Sequence, residues 1–100
     1  MIRMIMVTGE SLSPTFHEGD YVVITTIPFV IDKIKSGDTI VFRHPSYGML
    51  IKQVERIDLK KNAIFVSGLN HYSVDSRRFG PIQREDVIGK VIWHLARPKG

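Results

Sequence analysis

The sequence contains no cysteine among its 100 residues. Without thiols the chain has no disulfide framework, no thiolate zinc site and no cysteine nucleophile, so a nucleophile must be a hydroxyl, an amine or a carboxylate. Long hydrophobic runs are absent as well, since no apolar stretch approaches the roughly 20 residues of a membrane-spanning helix. Residues 1–7 carry Arg3 in their middle and lead into no small-residue cleavage site. We therefore expect neither a transmembrane segment nor a signal peptide in this chain.

Amphipathic helical patterns are missing too. No window of about a dozen residues repeats apolar side chains at the spacing of a helix packed on a core. Short apolar or alternating segments instead end at turn signals roughly every 8–12 residues, which is typical of an all-β fold. The sequence predicts an all-β domain, a small coiled sheet or partly open barrel, with strands at residues 2–7, 21–26, 39–42, 49–57, 63–66 and 87–95.

Charge is unevenly distributed along the chain. The net charge is +4, with four basic and five acidic residues in 1–50 against ten and five in 51–100. No run of like charges forms a basic tail, so we interpret the excess as a solvated surface and expect no nucleic-acid partner. The four histidines show no metal-ligand spacing, and no phosphate-binding or dinucleotide motif is present, so the sequence predicts no metal and no cofactor.

Three separated segments carry the residues of chemical interest. Residues 9–15 read GESLSPT and are followed by a Gly-Asp turn, residues 50–54 read LIKQV, and residues 68–81 read GLNHYSVDSRRFGP. The first and third segments are polar loops, whereas the second lies inside a predicted strand. Polar loops of this length in a small domain are often functional.

In this order the three segments resemble the motifs of type I signal peptidases, which are Ser/Lys dyad serine endopeptidases. Those enzymes carry G-x-S-M-x-P-T and a G-D turn, then I-K-R-V, then G-D-N…S-x-D-S-R…F-G-P. The resemblance spans residues 7–91 and includes short members described as nickel superoxide dismutase maturation proteases. It implies the fold that signal peptidases share with the C-terminal domains of SOS-type repressors. Residues 1–100 would then form a single minimal catalytic domain.

The resemblance makes Ser11 the nucleophile and Lys52 the general base. A serine hydroxyl is a weak nucleophile until a base takes its proton. A lysine serves as that base only when its amine is neutral, and burial among apolar residues lowers a lysine pKa. Lys52 lies between Ile51 and Val54 in a strand predicted to belong to the core, which is the setting such a base needs.

Supporting roles follow from the same resemblance. Gly9 stands where some bacterial relatives have a serine that helps to bind the oxyanion, so the oxyanion hole here is predicted to use backbone N–H groups, foremost that of Ser11. Glu10 lies between these two positions. Ser73 matches the serine that orients the lysine amine. Further along, the supporting ion pair is assigned to two residues that flank Ser76, namely Asp75 and Arg77.

This chain departs from the family pattern at three positions. Leu12 replaces the usual methionine, which conserves volume. Gln53 replaces the arginine that follows the lysine, and Leu69 replaces the aspartate of G-D-N. The last two substitutions leave open an inactive member of the family.

The predicted function is serine endopeptidase activity on signal peptides or on a dedicated precursor, with cleavage after small residues. The alternative is a self-cleaving repressor-type protein or a non-catalytic peptide-binding module of the same fold. The expected partner is a peptide or precursor protein bound as an added strand. An apolar patch is either ordinary core or a peripheral membrane contact, formed by Ile27, Pro28, Phe29 and Val30. The sequence leaves open whether the protein is membrane-associated or cytoplasmic.

Overall fold

A computed structural model of the chain describes residues 1–7, 19–67 and 80–95. Within this part of the chain, six strands form one antiparallel sheet in the order β1-β2-β6-β3-β4-β5. The all-β prediction is confirmed. Two short helical segments accompany the sheet, α1 (Pro28–Ile31) and a 3₁₀ turn at Arg84–Asp86. The strands are β1 (Ile2–Met6), β2 (Tyr21–Thr25), β3 (Thr39–His44), β4 (Gly48–Asp58), β5 (Ala63–Ser67) and β6 (Val87–Leu95).

The last strand in the chain lies in the middle of the sheet. β6 pairs with β2 on one side and with β3 on the other. Its bounds agree with the predicted strand, whereas β3 continues two residues further and β4 one residue further at each end. Local alternation therefore determines where the strands lie. The order of the strands depends on pairing between residues far apart in the sequence.

Apolar side chains cover both faces of the sheet at β3. Ile40 and Phe42 belong to a large cluster that also contains Val54 and Ile64, whereas Val41 belongs to a second cluster with Val7, Val22 and Ile24. Successive side chains of a strand point to opposite faces, so the continuous apolar sequence of β3 supplies both clusters. β3 is therefore a strand buried on both sides.

Three register shifts interrupt the ladders, in β2 against β6, in β3 against β6, and in β4 against β5. Such bulges increase the local twist and bend the strands. The sheet curls so far that the end of β1 and the first half of β4, four places apart in strand order, line one cleft. This curvature is what the predicted coiled sheet requires.

The apolar patch at residues 27–31 forms a short helix. Pro28 occupies the first turn of α1, where its missing N–H costs no hydrogen bond. Ile31 is buried in the large cluster, whereas Phe29 is 63% exposed and lies 4.7 Å below the Lys33 ammonium. The patch thus contributes to the core through one residue and to the surface through another. No helix in the described residues has the length and apolar character needed to cross a membrane.

One face of β1, β2 and β6 is apolar and exposed. In register, Met4 lies beside Val23 and Trp93, and Met6 lies beside Tyr21 and Leu95. All of these except the half-buried Val23 are exposed large apolar side chains. We call these two rows the outer apolar face, because the opposite face of the same strands packs into the second cluster.

Candidate active site

Lys52 lies in the middle of β4 with 1% of its surface exposed. Its position opposite Ile40 in β3 puts it on the same face of the sheet as the large apolar cluster. Lysines are among the residues that proteins bury least often, because removing an ammonium from water is costly. The expectation that Lys52 is buried is confirmed, and its burial among apolar residues singles it out in the described part of the chain.

A cleft of about 100 Å³ lies beside this strand. Its two walls are the end of β1 and the first half of β4, and its lining comprises Ile5, Met6, Val7, Val22, Val41, Met49, Leu50 and Ile51. Val7 directly precedes the segment that carries Ser11, and Ile51 directly precedes Lys52. The cleft therefore borders two of the three segments that the sequence singled out.

The third segment also starts close to Lys52. The last residue of β5, Ser67, lies opposite Gln53 in β4. Residues 68–79 follow Ser67 directly, and the chain returns to the sheet at Ile82, which forms an isolated bridge with Ile64. Val7 before the first segment and Ser67 before the third thus both lie next to the Lys52 region of β4, although about 40 residues separate Val7 from the start of β4 in the chain.

Most of the predicted site residues lie outside the described residues. They are Gly9, Glu10 and Ser11 in segment 8–18, and Ser73, Asp75, Ser76 and Arg77 in segment 68–79. Their assigned roles stay predictions. Of the predicted dyad and its supports, Lys52 is the member whose surroundings the structure gives.

The ends of segment 8–18 are held together at the edge of the sheet. The Val7 amide donates to the Asp20 carbonyl at 2.7 Å, and the Gly19 amide donates to the Val7 carbonyl at 2.9 Å. These two bonds continue the β1–β2 ladder by one step. Segment 8–18 therefore leaves the sheet and returns to it at adjoining positions beside the cleft.

Two strand edges border the cleft. β1 pairs with β2 along one edge, and β4 pairs with β3 from Gly48 to Gln53. Within the described residues, β5 pairs with β4 only from Gln53 to Asp58, which leaves the other edge of residues 48–52 without β5. Unpaired strand edges present rows of N–H and C=O groups that can bind another extended chain.

Gln53 stands where the resembling motif has an arginine, and its side chain contacts the turn before β3. The Gln53 Nε2 atom donates to the Gly37 carbonyl at 3.3 Å, in the turn before β3. Its contact therefore supports a turn.

No three His, Asp or Glu side chains in residues 1–7, 19–67 and 80–95 are grouped as a metal site requires.

A partly buried pair next to segment 8–18 was not anticipated from the sequence. Asp20 is 3% exposed, and its Oδ2 atom lies 2.8 Å from the Nε2 atom of His94 in β6. The sequence predicted no histidine at the site. Asp20 and His94 are 74 residues apart in the chain, so no local pattern connects them. Only the Gly-Asp turn after the first motif marked Asp20 in the sequence.

Comparison with known proteins agrees with this arrangement. The family model described as Peptidase S24-like matches residues 2–92, which is most of the chain. Signal peptidase I V of Bacillus subtilis (strain 168) is 24% identical over an alignment of 135 positions, which covers 85% of this chain and 80% of that protein. The match includes every described strand up to the middle of β6, together with Lys52 and both walls of the cleft. The match covers far more than half of the chain, and this chain therefore belongs to the Peptidase S24-like family.

Proposed function

We propose that this protein is a serine endopeptidase in which Ser11 is the nucleophile and Lys52 is the general base. The observation that carries the proposal is the burial of Lys52 in β4, next to residues 49–51, which line an apolar cleft together with Val7, the residue that directly precedes the segment carrying Ser11. Membership in a peptidase family and the similarity to a protein named as a signal peptidase support it. The whole activity is assigned to residues 1–100 as one catalytic domain.

In the proposed reaction, the neutral Lys52 amine takes the proton of Ser11 as its Oγ attacks the scissile carbonyl carbon. The negative charge that develops on the carbonyl oxygen is stabilised by backbone N–H groups, including that of Ser11. Collapse of this intermediate breaks the C–N bond, and the leaving amine receives the proton from Lys52. An ester between Ser11 and the acyl half of the substrate remains.

Water then completes the cycle. Lys52 takes a proton from a water molecule as the water oxygen attacks the ester carbonyl. The C–O bond to Ser11 breaks, the Ser11 oxygen regains a proton, and the carboxylic acid product leaves. Ser73 is assigned to orient the Lys52 amine, with Asp75 and Arg77 supporting it as an ion pair.

The cleft indicates the class of substrate. Its lining is aliphatic and thioether, and an extended peptide that enters it meets strand edges of β1 and β4. Backbone pairing of this kind binds any extended sequence, while the pocket selects side chains at alternate positions. We infer that the substrate is a signal peptide or a dedicated precursor, cleaved after small residues.

Loss of either dyad residue is expected to abolish cleavage of a peptide with alanines around the scissile bond. Ser11→Ala removes the nucleophile and Lys52→Ala removes the base, so each should lower kcat/KM by at least about 10³-fold. Ser13→Ala is the matched control, because Ser13 lies two residues from Ser11 in the same motif. The measurement is peptide hydrolysis by mass spectrometry, with circular dichroism to verify the fold.

The outcomes of this experiment separate the candidate functions. Cleavage that survives Ser11→Ala, or that is lost equally in Ser13→Ala, contradicts the dyad. If the wild-type chain binds the peptide without cleaving it, the protein is instead a peptide-binding module. The strand edges of β1 and β4 at the cleft also favour peptide binding.

We also propose that α1 and the residue before it touch a membrane surface through Ile27, Pro28, Phe29 and Val30. Phe29 and Ile27 are exposed, and Lys33 lies over the Phe29 ring, where its charge can meet anionic headgroups.

Phe29→Ser should reduce co-sedimentation with vesicles that contain anionic lipid. Leu59→Ser, which changes an even more exposed apolar side chain in the β4–β5 turn, should not. Equal loss in both variants, or none in Phe29→Ser, contradicts the contact.

A further inference from the structure

The pair of Asp20 and His94 connects the residue before β2 to β6 through side chains. The His94 Nε2 atom lies 2.8 Å from the Asp20 Oδ2 atom. When Asp20 is ionised its carboxylate only accepts hydrogen bonds, and the histidine N–H is then the donor. A carboxylate as buried as Asp20 is costly unless it is hydrogen-bonded. The histidine thus provides a partner that Asp20 needs in this position.

Asp20 also helps to join the two ends of segment 8–18, Val7 and Gly19, which we call the base of the segment. Its carbonyl accepts the Val7 amide, and the neighbouring Gly19 amide donates to Val7. Through its backbone Asp20 is bonded to the end of β1, and through its side chain it is bonded to β6. β1 and β6 lie on opposite sides of β2 in the sheet. One residue therefore fixes the base of this segment to both neighbours of β2.

The pair lies on the cleft side of the sheet. His94 is in register with Val22, and Val22 belongs to the second cluster and lines the cleft. Asp20 is two residues before Val22, so all three side chains share one face. A shift of Asp20 would therefore move Val7, which lines the cleft and is hydrogen-bonded to Asp20. Val22 and Val41, which form the floor of the cleft, would stay paired with β6.

We propose that His94 is a positioning residue, which through Asp20 holds in place Val7 and Gly19, the residues on either side of the segment that carries the proposed nucleophile Ser11. This inference rests on the proposed function. His94 takes no part in bond making, and its effect passes through Asp20 to the chain on either side of it. Misplacement of a reacting group by about 1 Å can cost about 100-fold in rate. Substrate binding should change little, because the cleft floor does not depend on the pair.

The first test compares three variants in peptide hydrolysis. His94→Ala should lower kcat by about 10- to 100-fold with KM within about 2-fold, because the reacting groups are misplaced while the binding cleft is retained. His94→Gln should recover most of the rate, since its side-chain N–H can still donate to Asp20. Arg84→Ala is the matched control, because it removes another tertiary contact, the 2.6 Å pair with Asp32, away from segment 8–18.

The same comparison can overturn the inference. Unchanged kcat in His94→Ala, a Gln variant as slow as the Ala variant, or an equal loss in Arg84→Ala would each do so. Should His94→Ala fail to fold, His94→Gln and His94→Leu form a pair of similar size. The Leu side chain cannot donate a hydrogen bond to Asp20, so a Leu variant as fast as the Gln variant also overturns the inference.

A second measurement works without activity. Amide hydrogen exchange reports the two bonds at the base of the segment, at the amides of Val7 and Gly19. These amides should exchange faster in His94→Ala than in wild type and remain unchanged in Arg84→Ala. If the wild-type chain cleaves no peptide, the proposed function fails. Faster exchange in His94→Ala would still show that His94 stabilises the hydrogen bonds of Val7 and Gly19 through Asp20. Unchanged exchange of these two amides in His94→Ala rejects this stabilising role of His94, whatever the activity.

Discussion

At the scale of single residues, Lys52 is an ionisable side chain on an apolar face of the sheet. It is almost completely buried and lies opposite Ile40, on the face of the large apolar cluster. Loss of hydration penalises the charged ammonium, so burial lowers the pKa of a lysine in such a place. A lower pKa raises the fraction of Lys52 that is neutral near pH 7, and only the neutral amine can accept the Ser11 proton.

Cleavage should therefore rise with pH as Lys52 loses its proton. The plateau should be reached below the range in which an exposed lysine titrates, because the buried ammonium is destabilised. The measurement is kcat/KM against pH, which reports ionisation of the free enzyme. Lys52→Arg is the matched variant, since a guanidinium keeps its proton at every accessible pH and should be inactive throughout. Activity in Lys52→Arg, or a rise only in the ordinary lysine range, contradicts a neutral-amine base.

At the scale of elements, the bulge in β6 decides which of its side chains point inward. Val91 pairs with Ile24 and His94 pairs with Val22, and both partners belong to the second cluster. Strict alternation would put residues 91 and 94 on opposite faces. The extra residue between them reverses the alternation, so that His94 turns inward and Trp93 outward. The role of His94 was therefore hidden from a sequence in which the bulge is not visible.

Gly89 shows how closely the strands around β6 approach each other. A Cβ atom at this position would lie 2.7 Å from the Thr25 carbonyl oxygen and 2.8 Å from the Ile24 Cδ1 atom. One of these neighbours is backbone, so the strand itself would have to shift. Gly89→Ala should lower the free energy of unfolding by about 1–3 kcal/mol, as overpacking of a core does.

Urea unfolding followed by circular dichroism measures this loss. Leu95→Ala, at an exposed site in the same strand, should change the free energy of unfolding by about 0.5 kcal/mol or less. Equal stability of Gly89→Ala and wild type would mean that β6 and β2 have more room than their spacing indicates.

At the scale of the whole molecule, the sequence predicted the strands but not their order. Alternation and turn signals are local, and they located β2 and β6 to within about one residue at each end. The insertion of β6 between β2 and β3 depends on contacts across most of the chain, which no local pattern contains. The site follows the same division. Ser11, Lys52 and Ser73 were predicted from motifs, whereas the cleft between β1 and β4 arises only when the sheet curls.

The outer apolar face has a consequence for how this molecule can be observed. Trp93 is the chain's only tryptophan, and it lies on that face with 63% of its surface exposed. Indole emission follows the polarity around the ring, and here the ring is already largely in water when the chain is folded. The intrinsic fluorescence of this protein therefore says little about its core. It acts as a built-in reporter of whatever comes to rest on Met4, Val23 and their neighbours, and its spectrum moves to shorter wavelengths when that face is covered.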